Sequence, residues 1–172
     1  LTKEKQRFIN VLFKKYSTLT QEKVFSNTFS TTALAVYDEF ESAEALANMD
    51  LHELTDFIME KGKNRFPDPD TVAKAIQKAA RSSYRLPKTV NDSVNQVLSI
   101  SITTMKTLEA QIKEFDKAIK SQMELLSNVL ISVPGIGPVY SAGIMAEIGD
   151  INRFNNQAAL AKYAGLAWKQ HQ

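Results

Sequence analysis

The stretch Ser132–Tyr140, SVPGIGPVY, is where this chain could meet a ligand through its backbone. Gly135 and Gly137 permit positive φ and let another molecule approach the main chain closely. Pro138 fits the first turn of a new helix. Such a bend exposes N–H groups without acceptors at the positive end of a helix dipole, which makes a sequence-independent anion site. Gly135, Ile136, Gly137 and Val139 are the candidate contacts, with a nucleic-acid phosphate as ligand. Ile136 is expected to tuck back between the flanking helices. The competing reading is a tight interhelical turn with no ligand. Between Ser127 and Asn152 there is no Lys or Arg. Affinity for duplex nucleic acid is mostly phosphate neutralisation, so the bend needs a more basic surface to act with it.

Lys74, Lys78, Arg81 and Arg85 supply a candidate for that surface. They recur at intervals of four, three and four, so on a helix they share one face, opposite Val72, Ile76 and Ala79. Lys61, Lys63, Arg65 and Lys88 extend the patch. The charge is segregated: Leu1–Lys23 is net +4, Asp38–Glu60 net −8 and Lys61–Lys88 net +6, although the whole chain is only +2. The stripe therefore reads either as phosphate contacts on DNA or RNA, or as a solvated face or dock for the acidic block.

Other chemistries are poorly supplied. The chain has no cysteine, and its two histidines, His52 and His171, lie far apart. A thiolate site, a His-rich metal site and a Ser–His–Asp triad are each poorly supported. Glu147 and Asp150 make a thin metal site without a third ligand, and read as an exposed helix residue and a turn residue. No catalytic or metal-binding residue is assigned. No apolar run reaches the roughly 18–20 residues of a membrane helix, and the lysine-rich start lacks the apolar run of a signal peptide. With no cysteine, the expected setting is a reducing cytoplasm, with no membrane partner.

The elements that must carry these residues are helical throughout, and the expected fold class is all-α. Thr2–Tyr16 has an apolar stripe through Phe8, Ile9, Leu12 and Phe13, and Phe29–Phe40 predicts a short helix. Asp50-x-x-Glu53 is a capping box for a helix ending at Gly62. Asp68-Pro69 opens another, expected to run to about Arg85. From Thr89 to Leu126 the pattern is heptad-like. One seam position holds Val94, Ser101, Leu108, Phe115 and Gln122; its partner holds Leu98, Met105, Ile112, Ile119 and Leu126. At 1.5 Å per residue this helix would be roughly 55–60 Å long. The seam fits a homo-oligomer through Val94–Leu126, or a helix laid on the chain's own N-terminal helices. Polar Ser101 and Gln122 would limit register. The expected organisation is a helical subdomain over 1–87, the long coiled-coil helix over 88–128 and a truncated domain over 129–172.

The apolar–Pro–Gly–apolar–Gly core, followed by the small residues Ser141, Ala142, Gly143 and Ala146, resembles the helix-hairpin-helix motif. Over a longer span, LISVPGIGPVYSAGIMAEIGDINRFNNQAALAKYAGLAW (Leu130–Trp168) resembles the C-terminal domain of DEDD-type insertion-sequence transposases, the bridge-RNA-guided recombinases. The features that carry it are PGIG, AEIGD, Arg153-Phe154 and the YAGLA helix end at Tyr163–Ala167. The resemblance implies a bacterial, nucleoid-associated mobile-element enzyme that cuts and rejoins DNA, with DNA and a guide RNA as partners. The family's four metal-binding carboxylates and its nucleophilic serine are not carried over here. They are expected before Leu1 and beyond Gln172, so Ser132 and Ser141 are not promoted. The chain, starting at Leu1 without Met, reads as a fragment inactive by itself, with no cofactor of its own and Mg²⁺ expected for the full-length enzyme. Two other readings stay open: a helix-hairpin-helix DNA-repair or junction-processing accessory, and a purely structural dimerisation module.

Overall fold

A computed structural model of the chain describes residues 1–22, 24–126 and 128–166. The expectations placed on Ala167, Trp168 and His171 lie outside these. The described residues are helical with no strand, the all-α class expected. They fall into two compact units, 1–111 and 112–172.

In the first unit, local capping chemistry sets most helix starts. The helix α1 (Thr2–Lys15) buries Phe8 and Leu12 along one face, and α2 (Ser17–Gln21) adds a short turn beyond Tyr16. For α3 (Thr31–Glu39), the Ser30 hydroxyl accepts the Ala33 amide at 3.2 Å. Ser42 does the same for α4 (Ala43–Asn48), taking the Ala45 amide at 3.0 Å. Asp50 opens α5 (Leu51–Gly62) by accepting the amides of His52 at 2.8 Å and Glu53 at 3.2 Å. Asp68 opens α6 (Pro69–Ser82), with Pro69 in the first turn where no amide is needed. The hydroxyl and amide of Thr71 reach Asp68 at 2.6 and 3.0 Å and hold its carboxyl below the usual range.

The helix α6 ends at Ser82, short of the expected Arg85. Long-range bonds draw the chain out of the helix there. Thr18 donates its hydroxyl to the Ser82 carbonyl at 3.0 Å and its amide to the Ser83 hydroxyl at 3.2 Å. The Tyr84 amide donates to the Ser17 hydroxyl at 3.2 Å. Small buried residues, Ala43 and Ala47 on α4 and Ala73, Ala79 and Ala80 on α6, let helices approach closely. Phe8, Tyr16, Phe25, Phe29 and Tyr37 form an aromatic cluster with centroids 5.9–6.1 Å apart.

The long helix α7 (Lys88–Glu124) has 37 residues. The leading half of its seam is buried: Val94 is 8%, Leu98 1%, Ser101 2% and Met105 2% exposed. These residues join the core of the first unit. Ser101 does not face a partner helix, because its hydroxyl donates to Glu4 Oε1 of α1 at 2.8 Å. Asn91 and Asn95 both donate their side-chain amides to the Glu41 carbonyl. The leading seam thus serves the chain's own N-terminal helices. Further along, Ile112 is 43% and Phe115 68% exposed.

The second unit holds the end of α7, a 3₁₀ turn at Leu130–Ser132, α8 (Pro138–Ile148), a second 3₁₀ turn at Ile151–Arg153 and α9 (Gln157–Tyr163). Asp150 caps the second turn and Asn156 caps α9. Among its described residues only Met123 and Ser141 are buried, while Leu125, Val129, Tyr140 and Leu166 are strongly exposed.

One buried charge gives the first unit a pH signature. Lys15 is 1% exposed, and its ammonium donates to the Tyr37 carbonyl at 2.9 Å. Burial pulls its pKa down to about 8, against the opposing pull of Asp38 and Glu41. Burial pushes the Tyr16 and Tyr37 phenols up. Between about pH 8 and the ordinary lysine value of 10.5, the unfolded chain holds a proton that the folded chain has released. Stability from this group therefore rises with pH there, by at most roughly 1 kcal/mol per unit. Above about pH 10 the tyrosines act in the opposite direction, because the folded chain then holds the extra protons. Urea denaturation from pH 7.5 to 9.5 should show the rise in the natural chain and not in Lys15→Met; equal slopes would refute the assignment.

Candidate nucleic-acid interface

At the bend the backbone is open. The Val133 amide donates to Leu130 at 3.1 Å and the Ile136 amide to Val133 at 3.0 Å, so Ile136 has its amide spent. The first bond of α8 runs from the Ser141 amide to the Gly137 carbonyl at 2.9 Å. The amides of Gly135, Gly137, Val139 and Tyr140 have no acceptor among the described residues. Only one of the two glycines needs its conformational freedom. Gly135 has φ +89°, whereas Gly137 has φ −86°, open to any residue. A Cβ at either would meet nothing within 4 Å. The backbone at both is therefore accessible from outside. Ile136 is half-buried, and Val139 is 43% exposed.

The arm before the bend is a single 3₁₀ turn at Leu130–Ser132. Asn128 organises it: its Oδ1 accepts the Leu130 amide at 3.0 Å and its Nδ2 donates to the Ser141 hydroxyl. Ser141 is fully buried, so its hydroxyl clamps α8 to the turn. Ser132 donates its hydroxyl to the Val129 carbonyl at 2.7 Å. Sequence reading missed Asn128, whose only local signal was an Asn placed where a turn begins.

On α6, Lys74, Lys78 and Arg81 are exposed, opposite the buried Ala73, Ile76 and Ala80. None of the three makes an ion pair among the described residues. The acidic block therefore does not neutralise them by contact. They border a groove of about 740 Å³ whose other wall is Asn48–Leu51, and Gln77 ties the walls by donating to the Met49 carbonyl at 2.6 Å. Arg85 departs from the expected stripe. It lies beyond the helix end, and its guanidinium donates to the carbonyls of Ala80 at 2.9 Å and Ser83 at 3.2 Å. It caps the C-terminus of α6, where a cation also meets the negative end of the dipole.

Glu147 and Asp150 take structural roles. Asp150 accepts the Asn152 amide at 2.9 Å, and Glu147 Oε1 accepts the Tyr163 hydroxyl at 2.9 Å. No group of three His, Cys, Asp or Glu able to hold a metal occurs among the described residues. The Arg153 guanidinium stacks 4.7 Å from both the Phe154 and Tyr163 rings and donates to the Glu147 carbonyl at 3.3 Å. These cation–π contacts and the hydrogen bond fasten α9 to the end of α8.

The family model described as "Transposase IS116/IS110/IS902 family" matches residues 127–172. Over 155 residues, 85% of this chain and 36% of the relative, the chain is 29% identical to the "Insertion element IS116 uncharacterized 44.8 kDa protein" of Streptomyces clavuligerus. Over 140 residues, 67% of the chain and 34% of the relative, it is 30% identical to the "Insertion element IS110 uncharacterized 43.6 kDa protein" of Streptomyces coelicolor. The chain thus spans about a third of the length of these curated relatives. No solved structure matches it. The resemblance read from PGIG, AEIGD and Arg153-Phe154 therefore holds: residues 127–172 are a segment of the IS116/IS110/IS902 transposase family, and similarity to insertion-element proteins extends well ahead of it.

Proposed function

We propose that this chain is the part of an insertion-element transposase that grips nucleic-acid backbone and brings protomers together during DNA transposition. One observation carries the reading: the amides of Gly135, Gly137, Val139 and Tyr140, which find no acceptor among the described residues, lie in the segment that matches the transposase family. Amides at a helix N-terminus suit phosphate oxygens without regard to sequence. This is the task of a helix-hairpin-helix element, here with a 3₁₀ turn as its first arm. Because no Lys or Arg lies between Ser127 and Asn152, the bulk of the affinity is assigned to cations elsewhere that make no ion pair among the described residues, chiefly Lys74, Lys78 and Arg81. Target choice belongs on this reading to a guide RNA. Strand chemistry and its Mg²⁺ belong to parts of the enzyme outside this chain.

Protomer association is assigned to the trailing seam of α7, where Ile112 and Phe115 are exposed. It is this half, not the whole Val94–Leu126 repeat, that is free to meet a second copy.

Two measurements test the nucleic-acid reading. Lys78→Glu with Arg81→Glu should weaken duplex binding and flatten the log–log salt slope by about 1.8, the value for two lost phosphate contacts. An unchanged slope would make the stripe a bystander. At the bend, Gly137→Ala should leave the melting temperature unaltered yet weaken binding several-fold, because a methyl group stands where a strand approaches. Gly135→Ala should also destabilise the second unit by roughly 1 kcal/mol through its positive φ. Undiminished binding by Gly137→Ala would remove the bend from the interface.

A further inference from the structure

We propose that a second copy of the chain meets α7 along a charge-free flank that begins at Val97, beside the buried seam rather than on it. The inference rests on the assignment of protomer association to α7 and names the surface that must carry it. Length is the first argument. From Ile112 to the helix end at Glu124 the bare seam runs only about 20 Å. That is less than about two heptads, whereas a coiled-coil contact takes about three or four. A second copy therefore has to reach into the leading half of α7. There Val94, Leu98, Ser101 and Met105 already serve the first unit. What remains on that half is the flank.

Charge is the second argument. At about 100° per residue, every charged residue of α7, from Lys88 through Lys106 and Glu109 to Glu124, falls within a sector of about 160°. The opposite side carries none along the whole helix, so a second α7 can lie on it without burying a charge of either copy's α7. Val97, Ile100, Thr104, Gln111, Phe115 and Gln122 share a band of about 60° on that side, at intervals of three, four and seven. Together they span about four heptads. The flank is also ready to be covered. Ile100 is 59% exposed. The hydroxyls of Ser93, Thr104 and Thr107 donate back to the carbonyls of Thr89, Ile100 and Thr103 at 3.1, 2.9 and 3.0 Å, so covering them strands no donor. On the α1 side, Glu4 and Arg7 border a cleft of about 180 Å³ with Val97, Ile100 and Thr104. Glu4 is held by Ser101, and exposed Arg7 takes the place of a polar rim. Both copies present the same face, so a two-fold axis closes the pair.

The chain has no cysteine, so introduced cysteines report without background. Ile100→Cys, Thr104→Cys, Gln111→Cys and Phe115→Cys are oxidised alone and in every pairwise mixture, with Lys106→Cys and Lys113→Cys on the charged side as controls. Disulfide-linked dimers are expected at Ile100→Cys and Thr104→Cys, where the two helices bring Cα atoms within about 7 Å. Same-site links mark parallel helices and links between leading and trailing positions mark antiparallel ones; both place the partner on the flank. Ile100→Lys with Thr104→Lys should weaken association at least about tenfold in sedimentation. Melting of the monomer should stay unchanged, because both side chains are exposed. Links at Phe115→Cys without any at Ile100→Cys or Thr104→Cys would overturn the flank and leave association at the trailing seam standing. Equal linking by the charged-side controls would overturn it as well. No link at any position would remove self-association itself, and this inference with it.

Discussion

Burial of one apolar seam along α7 is the interaction on which the rest depends. A 37-residue helix cannot be covered by its own side chains, so its seam must find partners. The leading half finds them within the chain. Val94, Leu98, Ile102 and Met105 enter the same core as Phe8, Leu12 and Tyr37. Polar contacts fix the register of that packing: Ser101 to Glu4, Asn91 and Asn95 to the Glu41 carbonyl, and Lys5 to Glu109 at 3.0 Å. The ion pair is partly exposed and adds little energy, whereas the buried serine contact would be costly to leave unmade. Past Glu109 these partners stop, and the apolar repeat continues over exposed Ile112 and Phe115. A seam satisfied at one end and bare at the other is the physical ground for assigning association to the bare end.

On the proposed reading, the bend and the α6 stripe would divide the labour of holding a phosphate backbone as their chemistry requires. Amides at the bend are directional but carry only partial charge, so they position a phosphate better than they attract one. The α6 cations would attract but not orient, being long, exposed side chains without ion-pair partners among the described residues. Asn128 links the bend's geometry to the packing of α8 through buried Ser141, so the amides are held by a clamp rather than by a floppy loop. Arg153, sandwiched against Phe154 and Tyr163, holds α9 in place and spends its charge on the Glu147 carbonyl.

Much of this was legible in the sequence because its causes are local. Asp50 and Asp68 cap the helices they announce, since a cap needs only the next three residues. Lys74, Lys78 and Arg81 share a face because helical period alone decides it. What could not be read depended on distant partners. The end of α6 is set by Ser17 and Thr18, some 65 residues away, and it turns Arg85 from a stripe member into a cap. The change of partner along α7 turns on Ser101 meeting Glu4 across 97 residues. Lys15 continues the face of Phe8 and Leu12, but only the distant Tyr37 carbonyl makes burial of its ammonium possible. The two glycines of PGIG look equivalent as letters, yet only Gly135 has a positive φ.

Sedimentation equilibrium of the chain beside Ile112→Lys and Phe115→Lys variants tests the divided seam most directly. A self-associating chain is expected, with each lysine weakening association at least about tenfold, since a buried charge replaces apolar contact. Helical content and melting of the monomer should stay unchanged, because neither residue serves the first unit's core. A chain that stays monomeric into the high-micromolar range, or one whose association ignores both substitutions, would contradict the account.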